Sequence, residues 1–490
     1  AGQRGAGSVR KSLLVQLFDS YVGLVLQVIS GAIIARLLTP AEVGVFAVAA
    51  VLVAMASQFR DFGLGEYIIQ AEHLTERRIR AALAVNITVS WFMATVLVGS
   101  SWAVADFYRE PGVGQVMRLQ AIGFLIVPFG AVTMAYFRRE LAYKPIFIVG
   151  QCANLVSFSV AIGCALAGLG YLSMAWSSLA GLVVTVGGSV LYRPAGFPRL
   201  PSWKGAGEVV SFSKHAMGIY FVGQIGKGAP EAVIGRLMDM ASVAFYSRAN
   251  GLMEIFNRTV LRAALPICLP FFANEARAGR STVPGYMSAT QLLTGVGWPF
   301  FLVIGILAYS TIRLLYGPQW TQAVPLAQVL CVAAVIELPY WLTKEVLIAV
   351  GRIDRANLYQ FQTQGIRLLG LLAGVPFGLE WACWGLCAAG VVAGWVSQRR
   401  LDKVIGLGVA DLLRACRPSA VTALVAAAPI FLVSMAVPQG DGNYLWFLLL
   451  GGAVSAAAWL LALRLTRHLL WAEIGKLGSS LQARLRPAVR

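Results

Sequence analysis

Charge is what this sequence has least of. Asp, Glu, Lys and Arg make up only 13% of its 490 residues, where a soluble chain carries about a quarter. That shortage excludes a water-soluble globular protein. Histidine is scarcer still: His73, His215 and His468 lie far apart and in no zinc spacing. The loop Gly-x-x-x-x-Gly-Lys-Ser/Thr, which cradles nucleotide phosphates, does not occur, so ATP is not expected to act on the chain directly. Of the seven cysteines, Cys383 and Cys387 come nearest to a motif, but four residues apart on one helix they are not a redox pair. No cofactor and no metal are expected.

Apolar runs are what the sequence has instead. The mean hydropathy is +0.72 and 58% of residues are hydrophobic. Runs of about 20 residues recur from end to end, each long enough to cross a hydrocarbon core of about 30 Å. Their backbone groups must be satisfied internally, and no short alternating strands of a barrel are visible, so the runs are helices. The fold class is therefore an all-α polytopic membrane protein with about fourteen transmembrane helices. Basic residues set its orientation. Arg77, Arg78, Arg80, Arg138, Arg139, Lys144, Arg199, Lys204, Arg277, Arg280, Arg352, Arg399, Arg400 and Lys403 fall on one side, with both termini. The other side keeps Arg36, Arg109, Arg118, Arg236 and Arg313. The positive-inside rule makes the first side cytoplasmic. The formal charge of +18 then reflects contact with anionic membrane lipids. No contiguous basic domain exists for nucleic acid, which is not expected as a partner.

One stretch occurs twice. Tyr21 to Leu52, moved forward by 200 positions, lands without a gap on Phe221 to Leu252. Gly23, Ala32, Ile34, Arg36, Leu37, Ala41, Val43, Ala49 and Leu52 each meet their own kind. Gly44, however, meets Ala244. Two halves of the same orientation, each opening on this hairpin, predict parallel repeats with a cavity at their interface, a transporter architecture. The expected divisions are an N-terminal six-helix lobe at 1–191, a cytoplasmic linker at 192–207 rich in proline, and a second six-helix lobe at 208–400. Two added transmembrane helices follow at 401–465, then a basic amphipathic tail at 466–490.

Charges inside the spans are the candidate functional residues, because they are expensive there and face protein, water or ligand. Asp19, in the first span, either snorkels or pairs near the inner surface, or else faces a polar interior. The seventh span, Val209–Leu237, holds Gly218, Gly223, Gly226, Gly228 and Pro230 together with Lys214, His215, Lys227 and Glu231. It reads either as a closely packed helix or as a flexible, interrupted one lining a transport path, and Lys227 and Glu231 are spaced for an ion pair. In the eighth span, Ser242–Leu265, ideal α-helical geometry puts Arg248, Arg258 and Arg262 within a wedge of about 80°. Their counterparts in the first half are Val48, Gln58 and Phe62, so only the second half is cationic on this face. A ladder with Glu254 explains one of the three, and snorkelling of Arg262 another; contact with an anionic cargo is the alternative. Arg367 is placed to pair with Glu337. The candidate cargo-binding set is thus Arg248, Arg258, Arg262, Lys227, Asp19 and Arg367.

Three segments in the first half, ARLLTPAEVGVFAVAA at Ala35–Ala50, RDFGLGEYIIQ at Arg60–Gln70 and FRRELAYK at Phe137–Lys144, carry a resemblance. IGRLMDMASVAFYSRANGL at Ile234–Leu252, LYGPQW at Leu315–Trp320 and Gly351-Arg352 continue it. In order and spacing the chain resembles Wzx-type oligosaccharide flippases, of the superfamily that holds the MATE drug exporters and the lipid II flippases (MOP). Ala244 departs from the pattern, since the family usually has glycine there. The resemblance implies a flippase in the bacterial inner membrane. Its expected cargo is undecaprenyl-pyrophosphate-linked oligosaccharide, and the polymerase and export machinery of the same pathway are expected as partners. Two rivals are a cation-coupled MATE-type drug exporter and a membrane-embedded glycan polymerase or ligase. The absence of a long outward loop disfavours the second.

Overall fold

The computed structural model describes residues 22–476 apart from positions 24, 62, 438 and 441. Asp19 and the whole tail after position 476 lie outside them. Helices account for nearly all of the described chain, with no strand among them. The contacts divide the chain into two compact units, Ala1–Ala244 and Phe245–Arg490.

The first unit contains α1 (Val25–Leu37), α2 (Pro40–Asp61), α3 (Leu64–Gln70), α4 (Glu76–Tyr108) and α5 (Pro111–Ile126). It continues with α6 (Pro128–Arg139), α7 (Tyr143–Leu166), α8 (Leu172–Leu191) and α9 (Ala206–Leu237). Thr75 starts α4 by accepting the Arg78 N–H on its side chain. Between α5 and α6 the chain bends by 59° at Val127–Pro128, because proline has no N–H to continue the ladder. The helix α9 is continuous through Pro230, which favours the closely packed of the two readings of the seventh span. Its glycines serve close approach. A Cβ on Gly228 would stand 2.4 Å from Val51, and one on Gly235 2.7 Å from Val48, both on α2. By its contacts with α2 and α4, α9 belongs with the first unit.

The connection before α9 is fastened rather than loose. Arg80 donates to the Leu200 carbonyl at 3.1 Å and accepts the Ser202 N–H at 3.0 Å on its own. Arg193 donates to Thr133 Oγ1 and the Phe129 carbonyl, and lies over the Phe197 ring. Arg77 and Arg78 both reach Glu208, each at 3.3 Å.

The second unit contains α10 (Met240–Phe256, whose first turns straddle the division), α11 (Arg262–Arg277), α12 (Val283–Ile306), α13 (Ala308–Leu315) and α14 (Ala323–Glu337). Beyond these lie α15 (Thr343–Ala349), α16 (Ile353–Gly374), α17 (Leu379–Ile405), α18 (Val409–Ala436) and α19 (Tyr444–Leu465). A π-helical turn, Asn257–Leu261, joins α10 to α11. Between α14 and α15 a 3₁₀ turn at Leu338–Tyr340 again carries a proline, Pro339. Phe256, Phe272, Tyr286, Phe301, Leu338 and Leu342 form the core. The C-terminal pair is held there too, with α18 along α12 and α19 against α18 and α13. Just past α19, the buried His468 completes this anchoring. Its Nδ1 accepts the Leu470 N–H at 3.1 Å, so Nε2 carries the hydrogen and donates to Ser419 Oγ at 3.0 Å. Burial lowers the imidazole below its ordinary value, which keeps that neutral form.

Among the described residues ten helical spans, α10–α11 and α14–α15 each counted as one, are long and apolar enough to cross a membrane, or eleven if the bent α5–α6 pair is one span. The expected fourteen included α1, α9 and α16. In the described residues α1 is short, while α9 and α16 are too polar on average to qualify by apolarity.

Glycine sets the α16–α17 hairpin. A Cβ on Gly370 would lie 2.3 Å from the Gly385 carbonyl oxygen, and one on Gly385 2.0 Å from that of Gly370. Such small-residue contacts let membrane helices approach backbone to backbone. Gly385→Leu is expected to remove folded protein from the membrane, while Gly365→Leu, on an open face of α16, leaves its amount near normal. Fluorescence size-exclusion profiles of tagged variants would show it; equal profiles for the two would refute this reading.

Candidate functional site

The candidate site is the α10–π–α11 segment of the second unit. Arg248 leaves α10 into an aromatic box. Its guanidinium carbon lies 5.1 Å from the Tyr316 ring centroid and 5.3 Å from that of Trp320, which is fully buried. Phe245 meets Trp320 edge-on at 6.0 Å and Tyr316 does so at 6.1 Å, closing the box. A planar cation gains from such ring faces when it is withdrawn from water. Its Nε is buried and has no hydrogen-bond partner among the described residues.

Six residues further on, Glu254 gathers its own group. Arg258 Nε donates to Glu254 Oε1 at 3.1 Å and Arg262 Nη2 to the same oxygen at 3.3 Å. Asn257 Nδ2 donates to Oε2 at 2.9 Å. One carboxylate therefore holds two guanidiniums side by side. Both arginines keep open surface, with side chains 41% and 57% exposed for Arg258 and Arg262 respectively. 

The arrangement can hold an anion: two guanidinium forks with open surface, held side by side on one carboxylate.

The expected single arginine face is thus corrected. Arg248 and Arg258 are ten residues apart, about 80° round an α-helix, so the Tyr316 and Trp320 rings take the first without the second. Arg248 turns into the box, and only Arg258 and Arg262 stay together. Arg367, on α16, pairs with Glu337 Oε2 at 2.7 Å, as its placement in the sequence suggested. Lys227 is exposed on α9, in the first unit. Asp19 lies outside the described residues. In the first unit, Arg60 pairs with its neighbour Asp61 at 2.7 Å and lies over Phe124. Sequence reasoning missed Tyr316 and Trp320 as partners of Arg248; the signal was an aromatic pair in an otherwise polar connection, LYGPQW.

The repeated hairpin keeps its register in space. The helices α1 and α9 end at Leu37 and Leu237, and α2 and α10 start at Pro40 and Met240. Arg36 and Arg236 each sit one residue before a helix end, and Arg236 stacks on Phe107 at 4.9 Å.

Known proteins match this chain over most of its length. A family profile described as "Polysaccharide biosynthesis protein" matches residues 33–325. The teichuronic acid biosynthesis protein TuaB of Bacillus subtilis (strain 168) is 24% identical over 420 residues, which is 81% of this chain and 83% of that protein. The lipopolysaccharide biosynthesis protein WzxC of Escherichia coli (strain K12) is 18% identical over 66% of each chain. Among solved structures, the lipid II flippase MurJ in an inward closed conformation superposes with a TM-score of 0.76 at 11% identity, covering 94% of this chain and all of that one. An inward-facing multidrug resistance MATE transporter of the MOP superfamily gives 0.62 at 14% identity, over 78% of this chain and 96% of that one. The chain belongs to the polysaccharide biosynthesis protein family, and its fold is the one seen in the lipid II flippase MurJ and in MATE transporters.

Proposed function

We propose that this protein moves undecaprenyl-pyrophosphate-linked oligosaccharide from the cytoplasmic to the periplasmic leaflet of the bacterial inner membrane. The observation that carries the reading is the convergence of Arg258 and Arg262 on one oxygen of Glu254 within an apolar segment. An arginine at the centre of a bilayer costs about 2.5 to 3.5 kcal/mol on insertion scales, so two retained side by side serve a purpose. A pyrophosphate headgroup offers oxygens that suit the planar forks of these two arginines, whose side chains keep open surface. Biosynthesis of teichuronic acid and of lipopolysaccharide, named for the two relatives, supports a glycan cargo.

In this reading the lobes 1–191 and 208–400 alternate access to the two sides, and the helices of 401–465 are additions. Both termini are cytoplasmic by the bias of basic residues. Membrane lipids surround the protein, and the polymerase and export machinery of the same pathway take its product. A MATE-type exporter of cationic drugs is disfavoured by the two arginines at Glu254, since such a cargo needs acidic walls.

Purified protein reconstituted in liposomes is expected to transfer undecaprenyl-pyrophosphate-linked oligosaccharide between leaflets without ATP. Accessibility of the glycan to an added glycosidase would follow the transfer. Leaflet exchange no faster than in protein-free liposomes would refute the proposal.

A further inference from the structure

Glu345 is the most deeply buried carboxylate in the described chain, with 6% of its surface exposed. It projects from α15, next to the broken α14. Its Oε2 is inaccessible and has no hydrogen-bond partner among the described residues. Its Oε1 has Lys344 Nζ at 3.5 Å, from the neighbouring and more exposed residue.

The groups around it are already engaged or apolar. From α16, Tyr359 lies within electrostatic reach, but its hydroxyl is bonded to Ser397 Oγ of α17 at 2.9 Å. From α12, the Tyr286 hydroxyl donates to the Pro339 carbonyl at 2.9 Å, and Thr343 Oγ1 donates to the Tyr340 carbonyl at 2.7 Å. From α11 comes the thiol of Cys268. Val404 is what α17 adds to the cluster around Leu347. Lys344, Cys268 and Tyr359 are therefore the titratable groups facing the carboxyl, and only Lys344 is a cation.

A carboxylate cannot rest there with one oxygen unsolvated without a large desolvation penalty, whereas a carboxylic acid can. A metal ion is a poor alternative. It needs several oxygens at about 2.0–2.6 Å, and no cluster of three metal-binding side chains exists among the described residues.

We propose that Glu345 is a proton-binding site, a carboxylic acid in the packed arrangement seen here and a carboxylate when α15 opens Oε2 to water. On opening, the O–H bond breaks and the proton passes to water; on closing it returns. The helix α15 packs against α11, which starts at Arg262, and α16, which carries Arg367. Loss of the proton thus loosens the contacts that position the candidate anion site, and a proton gradient drives its opening. This coupling role rests on the flippase reading; the proton site itself does not.

Two measurements on the full chain separate the claims. Infrared spectra of the protein in lipid nanodiscs should show a protonated-carboxyl band that fades as pH rises, is lost in Glu345→Gln and moves in Glu345→Asp. A wild-type spectrum without that band overturns the proton site, whatever transport shows. In proteoliposomes, an imposed proton gradient should speed glycan-lipid transfer several-fold in wild type and in Lys344→Ala, and not at all in Glu345→Gln. An equal response in Glu345→Gln, or acceleration by a sodium gradient at constant pH that Glu345→Gln abolishes, overturns the coupling role. Should no variant transport at all, the flippase reading fails while the infrared result still decides on Glu345.

Discussion

Arg258→Ala is expected to abolish glycan export while leaving membrane abundance near normal. Truncating one side of a desolvated charged contact costs about 2–5 kcal/mol, so the loss should reach on the order of 100-fold. Arg258→Lys should recover only part of it, because an ammonium keeps the charge and loses the planar fork. The contrary expectation is that Arg258 merely neutralises Glu254, and that its removal strands a carboxylate and unfolds the protein. The geometry argues against that. With Arg258 gone, Glu254 keeps Arg262 at 3.3 Å on Oε1 and Asn257 at 2.9 Å on Oε2. Export assayed in a flippase-deficient strain, beside immunoblots of membranes, tests both. Loss of abundance in Arg258→Ala, with full export restored by adding Glu254→Gln, would assign the group to structure and refute cargo contact.

Much of the fold was legible because a bilayer simplifies the rules. Helices had to follow from apolar length, and the 200-residue offset placed Leu37 and Leu237 at matching helix ends. What stayed hidden depended on contacts that no local pattern encodes. Ideal α geometry put Arg248 about 80° from Arg258 and so joined it to a face that the structure gives to Arg258 and Arg262 on Glu254. Hydropathy could not show that Tyr316 and Trp320 would stack on Arg248. The glycines of α9 were ambiguous between flexibility and close packing until Val48 and Val51 were seen against them. By contrast, the pairing of Arg367 with Glu337 was readable, because two opposite charges in neighbouring spans have few other partners.

Gly44→Ala is expected to cost more than any other single methyl group in the chain's first unit. A Cβ at Gly44 would stand 1.7 Å from the Met240 carbonyl oxygen and 2.5 Å from its carbon. Both are backbone atoms at the start of α10, so no side chain can rotate away. The helix α2 must withdraw from the α9–α10 turn instead, and overpacking of this kind costs about 1–3 kcal/mol or more. The second copy of the hairpin shows what happens without that contact: Ala244, the residue equivalent to Gly44, carries a Cβ and is fully buried. Its departure from the family's glycine is therefore tolerated where the same change in the first copy is not. Ala244→Gly should lose only about 1 kcal/mol, the helix penalty of glycine. Gly99→Ala, at a position of α4 with open space around it, should be neutral or slightly stabilising. Thermal melting of the three purified variants, followed by size-exclusion chromatography after heating, would rank them. A Gly44→Ala protein that melts with wild type would show that the two helices can part freely, and would refute the close contact as a constraint on this hairpin.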